Sequence, residues 1–266
     1  MHDFLDLLAI TARKNLENGY YRVNVRVWNR GKRSLRKSIL ECKKAAVISE
    51  IKFSSPSLGV LRNKGNVKLI SKEMAEAGAV GISVLTEPKY FSGSLEALIE
   101  ARESVNIPLL MKDIIISRQQ IDAAYKLGAD AVLLIKSLFE RGYCDADLHE
   151  MISYSHSRGL EVLLETHNVR EFEEAILTDA DLIGINNRDL RTLKVDIKTT
   201  KRILGKFTKS DIGDKLVVSE SGVRTPDDIR FLRDCGADAF LIGSAIMTSG
   251  GIKDIVARLV GSYEES

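Results

Sequence analysis

The stretch AAVISEIK, residues 45–52, decides the fold. Its apolar positions Ala45 to Ile48 pass through a serine straight into Glu50-Ile51-Lys52. A strand with one wet face would alternate apolar and polar residues, whereas a short, nearly continuous apolar run marks a parallel strand buried on both faces. The same pattern returns in AVGISVLTE (79–87), PLLMKD (108–113), AVLLIKS (131–137), EVLLETH (161–167), LIGINNR (182–188), LVVSESG (216–222) and AFLIGSA (239–245). Amphipathic stretches lie between these runs, with apolar positions at helical spacing such as Ile121, Ala124, Tyr125 and Ile252, Ile255, Val256, Leu259. Four runs follow a Gly-Ala or similar step (Gly78-Ala79, Gly128-Ala129, Asp179-Ala180, Gly236-Ala237), and glycine there suits a helix end that turns into the next strand. Eight such β-α units, each of roughly 20–35 residues, predict an α/β fold closed as a (β/α)8 barrel. The main rival, a doubly wound open sheet, would carry a GxGxxG loop after its first strand, and none is present.

Residues 1–44 stand outside this count. FLDLLAITARKNL and RSLRKSILECKKA both read as helices, separated by an irregular stretch holding Trp28. The expectation is one domain over residues 1–266, with 1–44 an N-terminal helical extension that caps or flanks a barrel formed by 45–266. The composition agrees: 266 residues, 44% hydrophobic and 29% charged, suit one large globular barrel. A net charge of +2 argues against a nucleic-acid or membrane partner, while a local positive pocket for a small anion stays open. Cys42, Cys144 and Cys235 are scattered, so reduced thiols are expected and no disulfide or metal framework. The start lacks a basic lead with a long apolar core, and no run reaches the length of a membrane helix, so a cytoplasmic location is expected.

Charge interrupts the apolar runs at one end only. Side chains two apart share a strand face, so Glu50 and Lys52 point together while Ile51 and Phe53 face the helices. By the same parity Asn186 and Arg188 share a face, as do Ser219 and Ser221. Lys112 closes the third run and Glu165 the fifth. All lie at C-terminal strand ends, where barrel active sites are built. Ionised groups entering a partly enclosed mouth lose several kcal/mol each unless paired, and a barrel built only for stability would place Val, Leu or Ile there. The plainer alternative is a set of structural ion pairs or a solvated rim, but lysines and glutamates arriving from strands one, three and five favour acid/base machinery. Ser221-Gly222 and Gly243-Ser244 end the seventh and eighth runs, where barrels frequently hold a phosphate beside a short extra helix that SAIMTSGG (244–251) could supply. Glycines that merely permit tight turns are the alternative there.

These residues resemble the indole-3-glycerol-phosphate synthase family of tryptophan biosynthesis. SEIKFSSPSLG (49–59) is similar to the family's first-strand signature, Glu-x-Lys followed by Ser-Pro-Ser. LTEPKYFSGS (85–94), LLMKDIIIS (109–117), GADAVLLI (128–135), LLETH (163–167), IGINNRDLRTL (183–193), VSESGV (218–223) and AFLIGSAIM (239–247) follow in the family's order and spacing. The resemblance covers all eight units; residues 1–44 match weakly.

It implies a lyase acting on the anilino sugar phosphate 1-(2-carboxyphenylamino)-1-deoxyribulose 5-phosphate, with no cofactor and no metal. The implied roles are Lys112 as general acid, Glu165 as its proton-transfer partner, and Glu50 and Asn186 as positioners for loss of the hydroxyl. Lys52 would hold the substrate carboxylate, Ser221 would lie against the substrate and Glu220 would support the lysines. Ser55, Gly222, Gly243 and Ser244 would hold the phosphate, with Arg188 nearby. Phe91, Leu133 and Ile135 would sandwich the anthranilate ring, and Leu241 joins the binding set. Leu133 and Ile135 read equally well as barrel core. A lysine crowded by another cation would have a lowered pKa suited to giving up its proton. One departure from some relatives is Ile114, where they carry an aromatic. Other enzymes of the tryptophan pathway are candidate partners.

Weaker candidates remain. His167 follows Glu165 on the same face but reads first as a loop histidine. His149 and His156, seven apart on a helix, are too sparse for a metal site, and Lys136 reads as a surface or capping lysine rather than a Schiff-base former. Phosphoribosylanthranilate isomerase, the neighbouring phosphate-binding barrel, would carry a cysteine at the end of strand one and an aspartate near strand six; Glu50-Ile51-Lys52 and Asn186 stand there instead. A non-catalytic barrel subunit is the alternative from another class, and an intact Lys112, Glu165, Glu50 and Lys52 argues against it.

Overall fold

The computed structural model describes residues 3–24, 33–56, 58–63 and 65–263. Eight parallel strands close into a barrel: β1 (Ala46–Ile51), β2 (Gly81–Leu85), β3 (Leu109–Lys112), β4 (Ala131–Ile135), β5 (Glu161–Thr166), β6 (Leu182–Asn186), β7 (Leu216–Glu220) and β8 (Ala239–Ile242). Each lies inside one of the apolar runs. β8 pairs with β1, Ala46 opposite Ala239, and so closes the ring. Both faces are dry: outward-facing Val47, Ile82, Val132 and Val162 are fully buried under the helices, which is why the runs do not alternate. The intervening helices begin and end where local chemistry dictates. Ser117 and Gln120 form a capping box at the start of Arg118–Leu127, and Gly128, at φ 104°, turns the chain out of that helix toward β4.

The N-terminal extension contributes α1 (Phe4–Glu17) and α2 (Leu35–Leu40). α1 matches its expected span, but the helix expected over residues 33–45 stops at Leu40. The reason is geometric: the Ala45 amide donates to the Val260 carbonyl (3.1 Å) and β1 starts at the next residue, so the chain must already be extended. The stretch holding Trp28 lies outside the described residues.

The two helices meet opposite ends of the barrel. Phe4, Leu5 and Leu8 of α1 line the cavity at the C-terminal mouth. At the other end, Glu161, the first residue of β5, accepts hydrogen bonds from the Ser34 hydroxyl and from the backbone amides of Leu35 (2.7 Å) and Arg36 (3.0 Å) at the start of α2. Leu35 fills the space beside Gly81, where an added Cβ would come within 2.6 Å of its Cδ1. Removing the Glu161 carboxylate strands those amides, so Glu161→Ala should cost about 1–3 kcal/mol of stability. A denaturant midpoint equal to the wild type's would show that this clamp carries no stability.

Candidate active site

Strand register brings the charged residues together. In parallel pairs, partners across the ladder point to the same side. Lys112 stands level with Leu85, Glu165 with Ile135 and Gly184, and Glu220 with Asn186 and Leu241. Apart from Gly184, all line a cavity of about 380 Å3 at the C-terminal mouth. Lys112 Nζ lies 2.7 Å from Glu220 Oε2 and 3.3 Å from Glu165 Oε2. Lys52 Nζ lies 2.6 Å from Glu50 Oε1 in the same cavity, as strand parity anticipated. Glu50 Oε2 and Glu220 Oε1 make no hydrogen bond among the described residues, so each carboxylate has one oxygen fixed by a lysine and one uncommitted.

The electrostatics correct one expectation. Lys112 is crowded by carboxylates, not by a cation. Burial alone would push its ammonium down, but Glu220, Glu165 and Glu50 outweigh it and hold the pKa well above the ordinary lysine value. Lys112 therefore stays loaded with its proton. Glu165 feels the reverse: burial favours its neutral form, but Lys112, His167 and Asn186 prevail and keep it far below the usual carboxylate range. Glu220 is pushed up to about 7, by burial and the nearby Glu165 and Glu50 charges, against the pull of Lys112. Two glutamates on one lysine are thus split into a firm anion and a group that can hold a proton near neutrality.

Two glycines make room for this arrangement. A Cβ on Gly184 would come within 2.2 Å of Glu220 Oε1, and one on Gly243 within 2.3 Å of Glu50 Oε1. The residue after Lys112 is anchored by the extension: the Tyr21 hydroxyl donates to Asp113 Oδ1 at 2.9 Å, and the Thr86 hydroxyl donates to Oδ2. Burial raises the Asp113 carboxyl to about 6.

The parity read in Ser219-Glu220-Ser221 needs correction. Glu220 is the inward residue; Ser219 faces the helical shell, where it bonds Asn187 (3.0 Å) and Thr200 (2.9 Å). Ser221 still lines the cavity because its φ of 67° breaks the alternation. Strand parity ends where the extended backbone ends. Gly222, at φ +90°, also lies where a Cβ would press within 2.6 Å of Val195.

The other expected binding residues line this cavity too: Ser55, Phe91, Leu133, Ile135, then Asn186, Arg188, Leu241, and finally Gly243 and Ser244. Ile114 is there as well. Gly243 and Ser244 lead into the short helix Ser244–Met247. The loop carrying Phe91 is built on Glu87, a fully buried carboxylate that accepts from the amides of Lys89 (3.0 Å), Tyr90 (2.7 Å) and Phe91 (3.2 Å). The sequence reading passed over Glu87, though a charged residue closing an apolar run was the signal that singled out Lys112.

His167 is no simple loop histidine. Its Nε2 lies 3.2 Å from Glu165 Oε1 and its Nδ1 3.5 Å from Glu171 Oε2. Lys136 is buried rather than superficial and pairs with Glu140 (3.1 Å) and Glu174 (2.6 Å) outside the cavity. His149 and His156 lie on Leu148–Ser157, and no group of three or more His, Cys, Asp or Glu among the described residues could hold a metal.

A closed parallel barrel whose lysines and glutamates converge on an enclosed mouth defines an acid–base barrel enzyme for a small substrate. The comparisons with known proteins are specific. A family model described as indole-3-glycerol phosphate synthase matches residues 7–259, and the chain belongs to this family. It is 43% identical to the indole-3-glycerol phosphate synthase of Methanocaldococcus jannaschii over 93% of this chain and 90% of that one. It is 40% identical to that of Caldanaerobacter subterraneus subsp. tengcongensis over 95% and 94%. Among solved structures, thiamine phosphate pyrophosphorylase from Pyrococcus furiosus (TM-score 0.57, 18% identity, 85% of this chain and 96% of that one) shares the barrel. So does N-acetylmannosamine-6-phosphate 2-epimerase from Clostridium perfringens (TM-score 0.58, 13% identity, 82% and 93%); both likenesses concern the fold. The enzyme is a carboxy-lyase of tryptophan biosynthesis. Among the described residues no helix is long and apolar enough to cross a membrane.

Proposed function

We propose that the charged mouth converts 1-(2-carboxyphenylamino)-1-deoxyribulose 5-phosphate into indole-3-glycerol phosphate, carbon dioxide and water by lysine and glutamate acid–base catalysis. The observation that carries this assignment of residues is Lys112 Nζ held between Glu165 and Glu220 in the cavity that also holds the Glu50–Lys52 pair. Lys112 protonates the carbonyl oxygen as the ring carbon attacks; a developing alkoxide is a stronger base than a lysine amine, so even a raised pKa permits the transfer. Glu165, the firm anion, stabilises the cationic intermediate and takes the proton. Glu50 and Asn186 position the hydroxyl that leaves, Lys52 pairs with the substrate carboxylate, Ser221 lies against the substrate, and Glu220 holds Lys112 in place. Ser55, Gly222, Gly243 and Ser244 bind the phosphate with Arg188 near it, while Phe91, Leu133 and Ile135 flank the aromatic ring and Leu241 closes the pocket below. The roles require no metal or cofactor.

Residues 1–266 form one domain in this reading, with 1–44 an extension whose α1 completes the mouth. A cytoplasmic location and contact with other enzymes of the tryptophan pathway go with it. The direct test is indole fluorescence growing in when the purified protein meets the anilino-ribulose phosphate. Silence from folded protein would favour a non-catalytic barrel. Glu165→Gln should lower kcat by about 10²–10⁴-fold, the range of a lost proton-transfer group, and wild-type turnover in that variant would remove Glu165 from the reaction.

A further inference from the structure

Glu165 is held from both sides. Lys112 approaches Oε2 (3.3 Å) from the cavity, and His167 approaches Oε1 (3.2 Å) from behind. His167 shares the inward side of β5 with Glu165 but follows the strand's last residue, Thr166, and its ring borders a separate opening lined by Ser137, Asn168 and Glu171. The far side of the imidazole is also fixed. Glu171 Oε2 lies 3.5 Å from Nδ1, and Glu171 itself is anchored by the Ser137 hydroxyl (2.8 Å), the Asn168 side-chain amide (2.7 Å) and the His167 backbone amide (2.9 Å). Neither ring nitrogen makes an aligned hydrogen bond, so these contacts are those of a buried ion pair, which favours an imidazolium.

We propose that His167 is a positioning residue for this reaction: an imidazolium clamped between Glu165 and Glu171 that fixes the Glu165 carboxylate against Lys112 and keeps it ionised for proton transfer. The inference rests on the reading of Glu165 as the proton acceptor. Other charges face the clamp from several elements. Lys112, Glu220 and Glu50 stand on the cavity side. Arg188 and Asp189, which follow β6, feel the Glu165 and His167 charges respectively. Arg141 lines the outer opening but is paired with Asp3 and Asp6 (both 2.7 Å). The two carboxylates therefore dominate at His167. Burial alone would lower its pKa, but Glu165 and Glu171 raise it to about 9. Sign follows: the clamp is charged at neutral pH and opens as pH rises through that value.

The test combines a titration that needs no turnover with kinetics. The protein has four histidines, so 15N-histidine spectra resolve each imidazole, and His167→Gln assigns the signal. The expected midpoint for His167 is about 9, falling by at least about one pH unit in Glu165→Gln. In kinetics, His167→Gln should lower kcat by about tenfold with KM changed less than about twofold, and should erase the wild type's basic limb in kcat. A midpoint near the ordinary 6.5 that ignores Glu165→Gln overturns the proposal. So does a His167→Gln enzyme that melts earlier yet keeps the wild-type kcat and profile. If His167→Gln does not fold, the titration in Glu165→Gln decides. A wild type that is silent by fluorescence yet shows the raised, Glu165-dependent midpoint would refute the reaction and the role while leaving the clamp itself established.

Discussion

Lys112→Ala should lower kcat by about a thousandfold or more, as expected for loss of a positioned general acid, and its stability should acquire a new pH dependence. In the wild type one ammonium neutralises two carboxylates that are almost completely buried. Without it, burial is unopposed at Glu220 and opposed only by His167 and Asn186 at Glu165. Breaking a buried pair from one side costs about 3–5 kcal/mol. Because the folded-state pKa of Glu220, already about 7 beside Lys112, would rise further above the unfolded value, the added deficit is full only above that new folded pKa and shrinks as pH falls from there. Melting temperatures of variant and wild type should converge as pH falls from about 9 to the wild-type Glu220 value of about 7. A constant gap would mean the carboxylates find another counter-charge, and near-normal turnover would remove Lys112 from the chemistry.

Gly184→Ala should be almost as damaging, although the side chain gained is a single methyl. The new carbon would lie 2.2 Å from Glu220 Oε1 and 3.4 Å from the Glu165 Cα, inside a closed ring of strands. The backbone of β6 is locked by its ladders to β5 and β7, so the carboxylate must move instead, and Lys112 loses its 2.7 Å partner. Displacing a catalytic group by about 1 Å can cost on the order of a hundredfold in rate, and overpacking adds about 1–3 kcal/mol of destabilisation. The informative readout is kcat at a temperature where both proteins are folded. An alanine variant with full kcat would show that the position of Glu220 does not matter.

The architecture was legible because it rests on local periodicity. Every strand lies within a short apolar run, and Glu50, Lys52, Glu87, Lys112, Glu165 and Glu220 at the ends of such runs reach the mouth, whereas Lys136 turns away to Glu140 and Glu174. Partners were less legible. Parity says that Lys112 and Glu220 both point inward, but their contact spans 108 residues of chain and depends on ring closure. Without it, Lys112 reads as a lysine near another lysine, when its neighbours are acids. Parity also failed at Ser219, because alternation was carried through Ser221, where the backbone turns left-handed. Tyr21 goes unread in the sequence, and His167 reads first as a loop histidine, for a related reason: each touches Asp113 or Glu165 through a contact that no spacing rule encodes.

Ser221 shows what this scaffold accepts in exchange for function. At φ 67° a side chain is strained by roughly 1 kcal/mol relative to glycine, and the very next position is a glycine. A barrel optimised solely to survive heat would use glycine at both. On the assignment proposed above, keeping a hydroxyl at the less comfortable site trades thermal endurance for a polar contact with the guest. Engineers who harden this enzyme by choosing relaxed backbones everywhere should therefore find a sturdier protein that grips its substrate less well.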